Sequence, residues 1–269
     1  ASSTASSTVQ VQLDDLLVNY SDEVLANWSG DASEGVAGEF TDANRTVHIN
    51  TKGMEIDQCF AKALIGALCY DQTVNKYCEP AYQAGLNNVD RDPAEDNNAT
   101  EMEHKWDEGY GYVYGMVAEN TTGDLSTDNL LGKYLNKFSV KIPLVFNAFI
   151  DGRAAIVAND ADTRDNQWTT IKDELAYVIG AKTIGYLEGA AGEIAPDSLG
   201  NIPAYGADYF HDLSEGWGFI LSLQYTDWYT NAEVNTMLDA LEAGNGFWDR
   251  GHGELMDMAN AIRTRTGIQ

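Results

Sequence analysis

His104 and Glu108 stand four residues apart in the stretch HKWDEGYGYVY, and His211 and Glu215 stand four apart in HDLSEGWGFIL. In a helix that spacing puts both side chains on one face, so each pair offers an imidazole nitrogen and a carboxylate oxygen to one point. The phrase recurs in register beyond these residues: Gly109 and Gly111 match Gly216 and Gly218, Tyr110 and Tyr112 match Trp217 and Phe219, and Val113 matches Ile220. Two such pairs brought together supply two nitrogen and two oxygen donors, a set suited to iron, manganese or zinc. The same residues also suit a buried hydrogen bond that holds helices in register, or an acid–base pair.

Several neighbours belong to the same question. Asp107 is placed to act as an additional ligand, or as an acceptor behind one. Arg153 lies in an apolar helical stretch of a chain poor in cations and is expected to meet a buried carboxylate. Lys62 reads the same way. Asp160, Asp162 and Asp165 in NDADTRDNQW have a spacing that weakly suggests calcium, but the loop lacks the glycine and closing glutamate of an EF-hand. His48 and His252 are expected to be exposed and ordinary. The chain has no HExxH, GxSxG or GxxxxGK[ST] pattern, which leaves a metallopeptidase as the weakest of the functional alternatives.

The positioning elements read as helices almost throughout. Apolar residues recur at three- and four-residue steps in VQLDDLLVNYSDEVLANW, where Leu13, Leu16, Leu17, Tyr20, Val24 and Leu25 are expected to form the buried stripe. GMEIDQCFAKALIGALCYDQTVNKY is a long small-residue helix ending before Pro80, and RTVHIN reads as a short extended piece. A polar linker follows, LNNVDRDPAEDNNAT, in which Thr100 is an N-cap with Glu103 at the capping-box position. The first motif helix is expected over about 101–118, stopping near ENTTGD. In the second half Pro203 suits the first turn of the other motif helix, and glycines close the last two helices. In all the pattern predicts roughly nine helices and little strand.

The order of elements repeats: a long small-residue helix, a polar loop, the motif helix, a shorter amphipathic helix. An internal duplication is the simplest account, giving a polar tether over residues 1–9 and helical repeats over 10–140 and 141–269, packed as one compact all-α unit.

Composition sets the outer bounds. The chain has 269 residues, with 16 Lys and Arg against 42 Asp and Glu, a net charge of −26. That field repels nucleic acid and anionic membrane surfaces and attracts cations. No apolar run approaches the roughly 18–20 residues of a membrane span. The start, ASSTASSTVQ, reads as the polar tether left after a leader is removed, so the expected location is periplasmic or cell-surface, with a lipid anchor upstream of Ala1. Cys59, Cys69 and Cys78 fall in one helical stretch, where successive pairs would sit about 13–15 Å apart. Disulfide geometry needs about 7 Å or less, so free thiols are expected.

The stretches EMEHKWDEGYGYVYG, IDQCFAKALIGALCYDQTVNKY and VFNAFIDGRAAIVAND resemble the bacterial exported-lipoprotein family catalogued as domain of unknown function 4856. The duplicated helical layout is similar to that of imelysin-like proteins, which pair two four-helix bundles and are associated with bacterial iron uptake. Those proteins carry His-x-x-Glu. Here the spacing is His-x-x-x-Glu, with Asp107 supplying a carboxylate at the shorter spacing in the first copy and Ser214 occupying that place in the second. The resemblance implies an exported metal-binding protein, iron first and zinc or manganese next, that works as a binding or accessory component of uptake beside an outer-membrane or cell-surface partner. His104, Glu108, His211 and Glu215 are the expected ligands. The alternative is a surface-tethered interaction protein in which both pairs only staple the bundle.

Overall fold

A computed structural model describes residues 7–91, 98–117 and 121–269. Within them the fold is all-α, with ten α-helices and one antiparallel hairpin. The helices are α1 (Ser7–Asn19), α2 (Ile56–Leu64), α3 (Pro80–Ala84), α4 (Glu101–Tyr114), α5 (Leu130–Leu135), α6 (Ile142–Ala158), α7 (Ala161–Glu193), α8 (Ala207–Ser222), α9 (Asn231–Glu242) and α10 (His252–Thr266). Strands β1 (Gly38–Thr41) and β2 (Thr46–Ile49) pair with Gly38 opposite Ile49, so the extended piece expected at RTVHIN is one arm of a hairpin. Residues 1–6 of the expected tether, 92–97 of the expected linker and 118–120 at the expected helix stop lie outside the described residues, while residues 7–9 belong to α1. No described helix is long and apolar enough to cross a membrane.

Contacts divide the chain into two compact units, one over Ala67–Val178 and one built from residues 7–66 with Ile179–Gln269. Residue 140, the expected division between two repeats, lies inside the first unit.

In the first unit α4 starts with the capping box read from sequence. Thr100 Oγ1 accepts from Glu103 N, and Glu103 Oε2 accepts from Thr100 N at 3.0 Å. Glu103 is buried to 1% side-chain exposure and also takes Arg91 and Arg153, which fixes the start of the motif helix by charge as well as by capping. The helix then buries Trp106, Val113 and Tyr114. Trp106 Nε1 donates to Phe149 O on α6 at 2.9 Å, locking the two helices in register. α4 ends at Tyr114, four residues short of the expected stop, with Gly115 at the C-cap.

In the second unit α8 is the central element, buried without interruption from Leu213 to Ser222. Its polar residues in that stretch, Ser214, Glu215 and Ser222, are buried with the apolar ones. Its start is set from a distance: Asp42, in the turn between β1 and β2, accepts from Ala207 N at 2.7 Å. That corrects the expectation at Pro203, which lies before the helix; the N-cap is Gly206, and the capping oxygen comes from the hairpin. Ser222 Oγ ties the other end to the neighbouring helix, donating to Lys62 O at 3.0 Å and accepting from Gly66 N at 3.1 Å.

Two helices contain wide π turns. The stretch after α1 is π-helical over Tyr20–Val24, and α2 runs on through π turns at Ile65–Tyr70 and Thr73–Tyr77. The buried stripe is narrower than expected: Leu13, Leu16 and Val24 are buried, but Leu17 within α1 and Leu25 just after the first π turn are about half exposed. All three cysteines are buried free thiols.

Candidate metal centre

α8 carries His211, Asp212 and Glu215, with Asp212 three residues and His211 four residues before Glu215. One ligand atom from each lies within 4.8 Å of the others. Among the described residues this is the one group of three or more His, Cys, Asp and Glu side chains gathered so closely. Donors bonded to one ion at about 2.1 Å lie roughly 3–4 Å from one another, a spacing that the three atoms approach without reaching.

The groups behind these donors favour that use. Glu55, the N-cap residue of α2, accepts from His211 Nδ1 at 2.7 Å. A carboxylate on one ring nitrogen fixes the tautomer and leaves the other as a lone-pair donor. The free nitrogen, Nε2, lies 3.8 Å from Glu215 Oε1. Ser214 is no ligand; its hydroxyl accepts from Glu55 N at 2.8 Å and thereby holds the residue that orients His211. Asp212 Oδ2 lies over Gly189 on α7, where a Cβ would come within 2.8 Å of it. Burial pushes the Asp212 carboxyl up to about 6, with Glu215 and Asp208 adding to the rise while His211 and Arg45 oppose it. An underneutralised carboxylate beside an imidazole lone pair is the electrostatic setting a cation relieves.

One cation already touches the cluster. Lys62 Nζ lies 2.7 Å from Glu215 Oε1, and both side chains are only about a tenth exposed. Burial alone would raise the Glu215 carboxyl, but hydrogen bonds from Lys62 and Tyr186 and the charges of Lys62 and His211 hold it below its usual range. Glu55, Asp212 and Glu215 set three negative charges against the one of Lys62, which leaves the cluster two short of neutral when His211 is uncharged.

The first motif is built from the same types with a different balance. His104 Nε2 lies 2.8 Å from Glu108 Oε1, and Lys105 Nζ lies 2.7 Å from the same oxygen. Tyr77 also hydrogen-bonds Glu108; against the effect of burial, Lys105, Tyr77 and His104 together lower the Glu108 carboxyl. Each motif glutamate therefore meets its own histidine, a lysine and a tyrosine. Asp107 is turned to Arg153, whose Nε lies 3.0 Å from Oδ1, and Arg153 also reaches buried Glu103 at 3.2 Å. The buried carboxylate expected for Arg153 is thus Glu103, and the one for Lys62 is Glu215.

The remaining residues fall elsewhere. Asp160 caps α7 through Thr163 N, and Asp165 pairs with Arg164. With Asp162 they form no group of three close donors among the described residues. His48, expected to be exposed, is 18% exposed and stacks on Trp28 at 3.5 Å between centroids. His252 Nδ1 lies 2.9 Å from Ala191 O.

An all-α protein with one close His–Asp–Glu group on a buried helix is the class that fold and site define. The family model described as "Domain of unknown function (DUF4856)" matches residues 1–269, the whole chain, and the protein belongs to that family. No curated protein and no solved structure matches it.

Proposed function

We propose that this protein binds a divalent transition metal through His211, Asp212 and Glu215, with iron the first candidate and manganese or zinc next. The observation that carries the reading is the gathering of one imidazole and two carboxylates within 4.8 Å on one helix face. The Glu55 contact to His211 Nδ1 supports it, because it orients the other nitrogen toward the carboxylates. Three protein donors leave coordination positions open, which suits an ion that must be taken up and released. The net charge of −26 favours a cation carrier, since it raises the local concentration of cations. In this reading the protein is an exported binding or accessory component of metal uptake, and His104 and Glu108 are a separate pair.

The Lys62–Glu215 contact favours a second reading, in which the cluster only staples α2 to α8. Metal content measured by mass spectrometry on untagged protein, loaded in turn with iron, manganese and zinc, separates the two. The expected result is about one ion per chain, lost in His211→Gln and Asp212→Asn and kept in His104→Gln. Lys62→Met frees Glu215 and is expected to tighten binding. Absence of uptake, or uptake that survives Asp212→Asn, sinks the metal reading and leaves the staple.

A further inference from the structure

The second unit contains a pocket of about 300 Å³ away from the motif histidine, bounded by α1, the segment leading into α2, α8 and α9. Its size is at the lower end for small-molecule sites. Leu16, Met54 and Trp217 give it apolar walls, each no more than 6% exposed. Its charged lining is wholly acidic: Asp15, Asp239 and Glu242 are in the wall among the amides of Gln12, Asn19, Asn50 and Asn235, and no Lys or Arg is. Lys52, the nearest candidate to neutralise Glu242, gives its ammonium to the main-chain carbonyls of Glu242 and Gly244.

A relay of amides adds a further acceptor. Gln224 Nε2 donates to the carbonyl of Leu221, which can only accept. Asn231 Nδ2 therefore donates to Gln224 Oε1, Asn235 Nδ2 to Asn231 Oδ1, and Gln12 Nε2 to Asn235 Oδ1. Each orientation is forced by the one before it, and the chain ends on Gln12 Oε1, buried without a hydrogen-bond partner. Gln12 lines the pocket. A buried acceptor left unpaired is costly, so the Gln12 amide, closed to water as it stands, gains by turning toward a donor-bearing ligand in the pocket.

We propose that this pocket binds a small organic cation, a primary amine on a short aliphatic stem such as a diamine. The ammonium supplies charge and donors to Asp239 and to Glu242, whose Oε1 already accepts from Trp217 Nε1 at 2.8 Å, and the stem lies against Leu16, Met54 and the Trp217 ring, where an aromatic face also favours a cation. An inorganic ion fits less well, because Asp15, Asp239 and Glu242 form no close donor group among the described residues. The site is independent of the His211 cluster.

The test is isothermal titration of chelator-treated protein with 1,4-diaminobutane in 0.3 M NaCl, with 1,4-butanediol and magnesium chloride as controls. The salt suppresses general attraction to a chain of this charge. Saturable one-to-one binding is expected, at least about tenfold weaker in Glu242→Gln, which keeps an acceptor for Trp217, and in Asp239→Asn, a change at an exposed position. Asp212→Asn should leave it unchanged. The proposal is overturned by absence of saturable binding, by equal binding of the diol, by equal binding to both pocket variants, or by magnesium displacing the diamine at equal concentration.

Discussion

α4 and α8 carry one phrase and build two electrostatic environments from it. In both, a glutamate receives the histidine one turn before it, a tyrosine and a lysine. They differ at the residue after the histidine. α4 has Lys105 there, so the helix brings its own counter-charge and Glu108 is satisfied locally at 2.7 Å. α8 has Asp212, a second carboxylate, and its lysine arrives from α2. The first motif is close to neutral and nearly a third exposed at Glu108; the second is tenth-exposed at Glu215 and short of positive charge. The position where the two phrases disagree sets the charge balance of each motif.

The largest expected effect separates the two glutamates by burial. Glu215→Ala takes the carboxylate from the buried Lys62 ammonium, which keeps the neutral Gln58 Oε1 at 2.8 Å, and should lower unfolding free energy by about 3 kcal/mol. Glu108→Ala removes a part-exposed pair and should cost less than about 1 kcal/mol. Equal losses in denaturant titrations would mean that the two environments are alike after all. Next come the glycines, where opposite signs are expected. A Cβ on Gly218 would lie 2.5 Å from Cys59 O and 2.6 Å from Lys62 Cβ, so Gly218→Ala should destabilise by roughly 2 kcal/mol. Gly111, its counterpart, has nothing within 4 Å, and Gly111→Ala should stabilise by up to about 1 kcal/mol through helix propensity.

A pH series sharpens the comparison on the second motif alone. The folded-state pKa of Asp212, about 6, lies above its ordinary value of 3.8. Between those values the folded chain binds more protons than the unfolded one, so this group makes stability fall as pH rises, until the effect levels off above about 6. Asp212→Asn should therefore gain on the parent protein at pH 7–8, and the gain should vanish below pH 4. The converse exchange gives the smallest effect: Lys105→Asp places a third donor beside His104 and Glu108, and weak metal uptake should appear in the first motif by calorimetry.

Local signals in the sequence were read well where the structure is local. The capping box at Thr100 and Glu103, the hairpin strand in RTVHIN and the closing Gly267 of α10 are all present. The start of α8 was not legible, because its capping oxygen belongs to Asp42, far away in sequence. The π turn at Tyr20–Val24 breaks the regular angular step on which the expected burial of Leu25 depends. Asp212 stands in plain view, three residues before Glu215, yet a search for identities between the copies passes over the position at which they differ. Glu55 and Lys62 reach the site from another helix and have no local signature of that role.

The π turn over Thr73–Tyr77 has a consequence for how the first motif tolerates change. Such a turn holds one more residue than an α turn, so the chain beyond it is set back by about 100° from where an unbroken α-helix would put it. Deleting a single residue there would let the backbone relax to a regular helix while the chain beyond it keeps its orientation, whereas straightening the turn without a deletion would swing that chain by about 100° and carry the Tyr77 hydroxyl away from Glu108. In this segment the count of residues, more than their identity, sets the aim of the side chain.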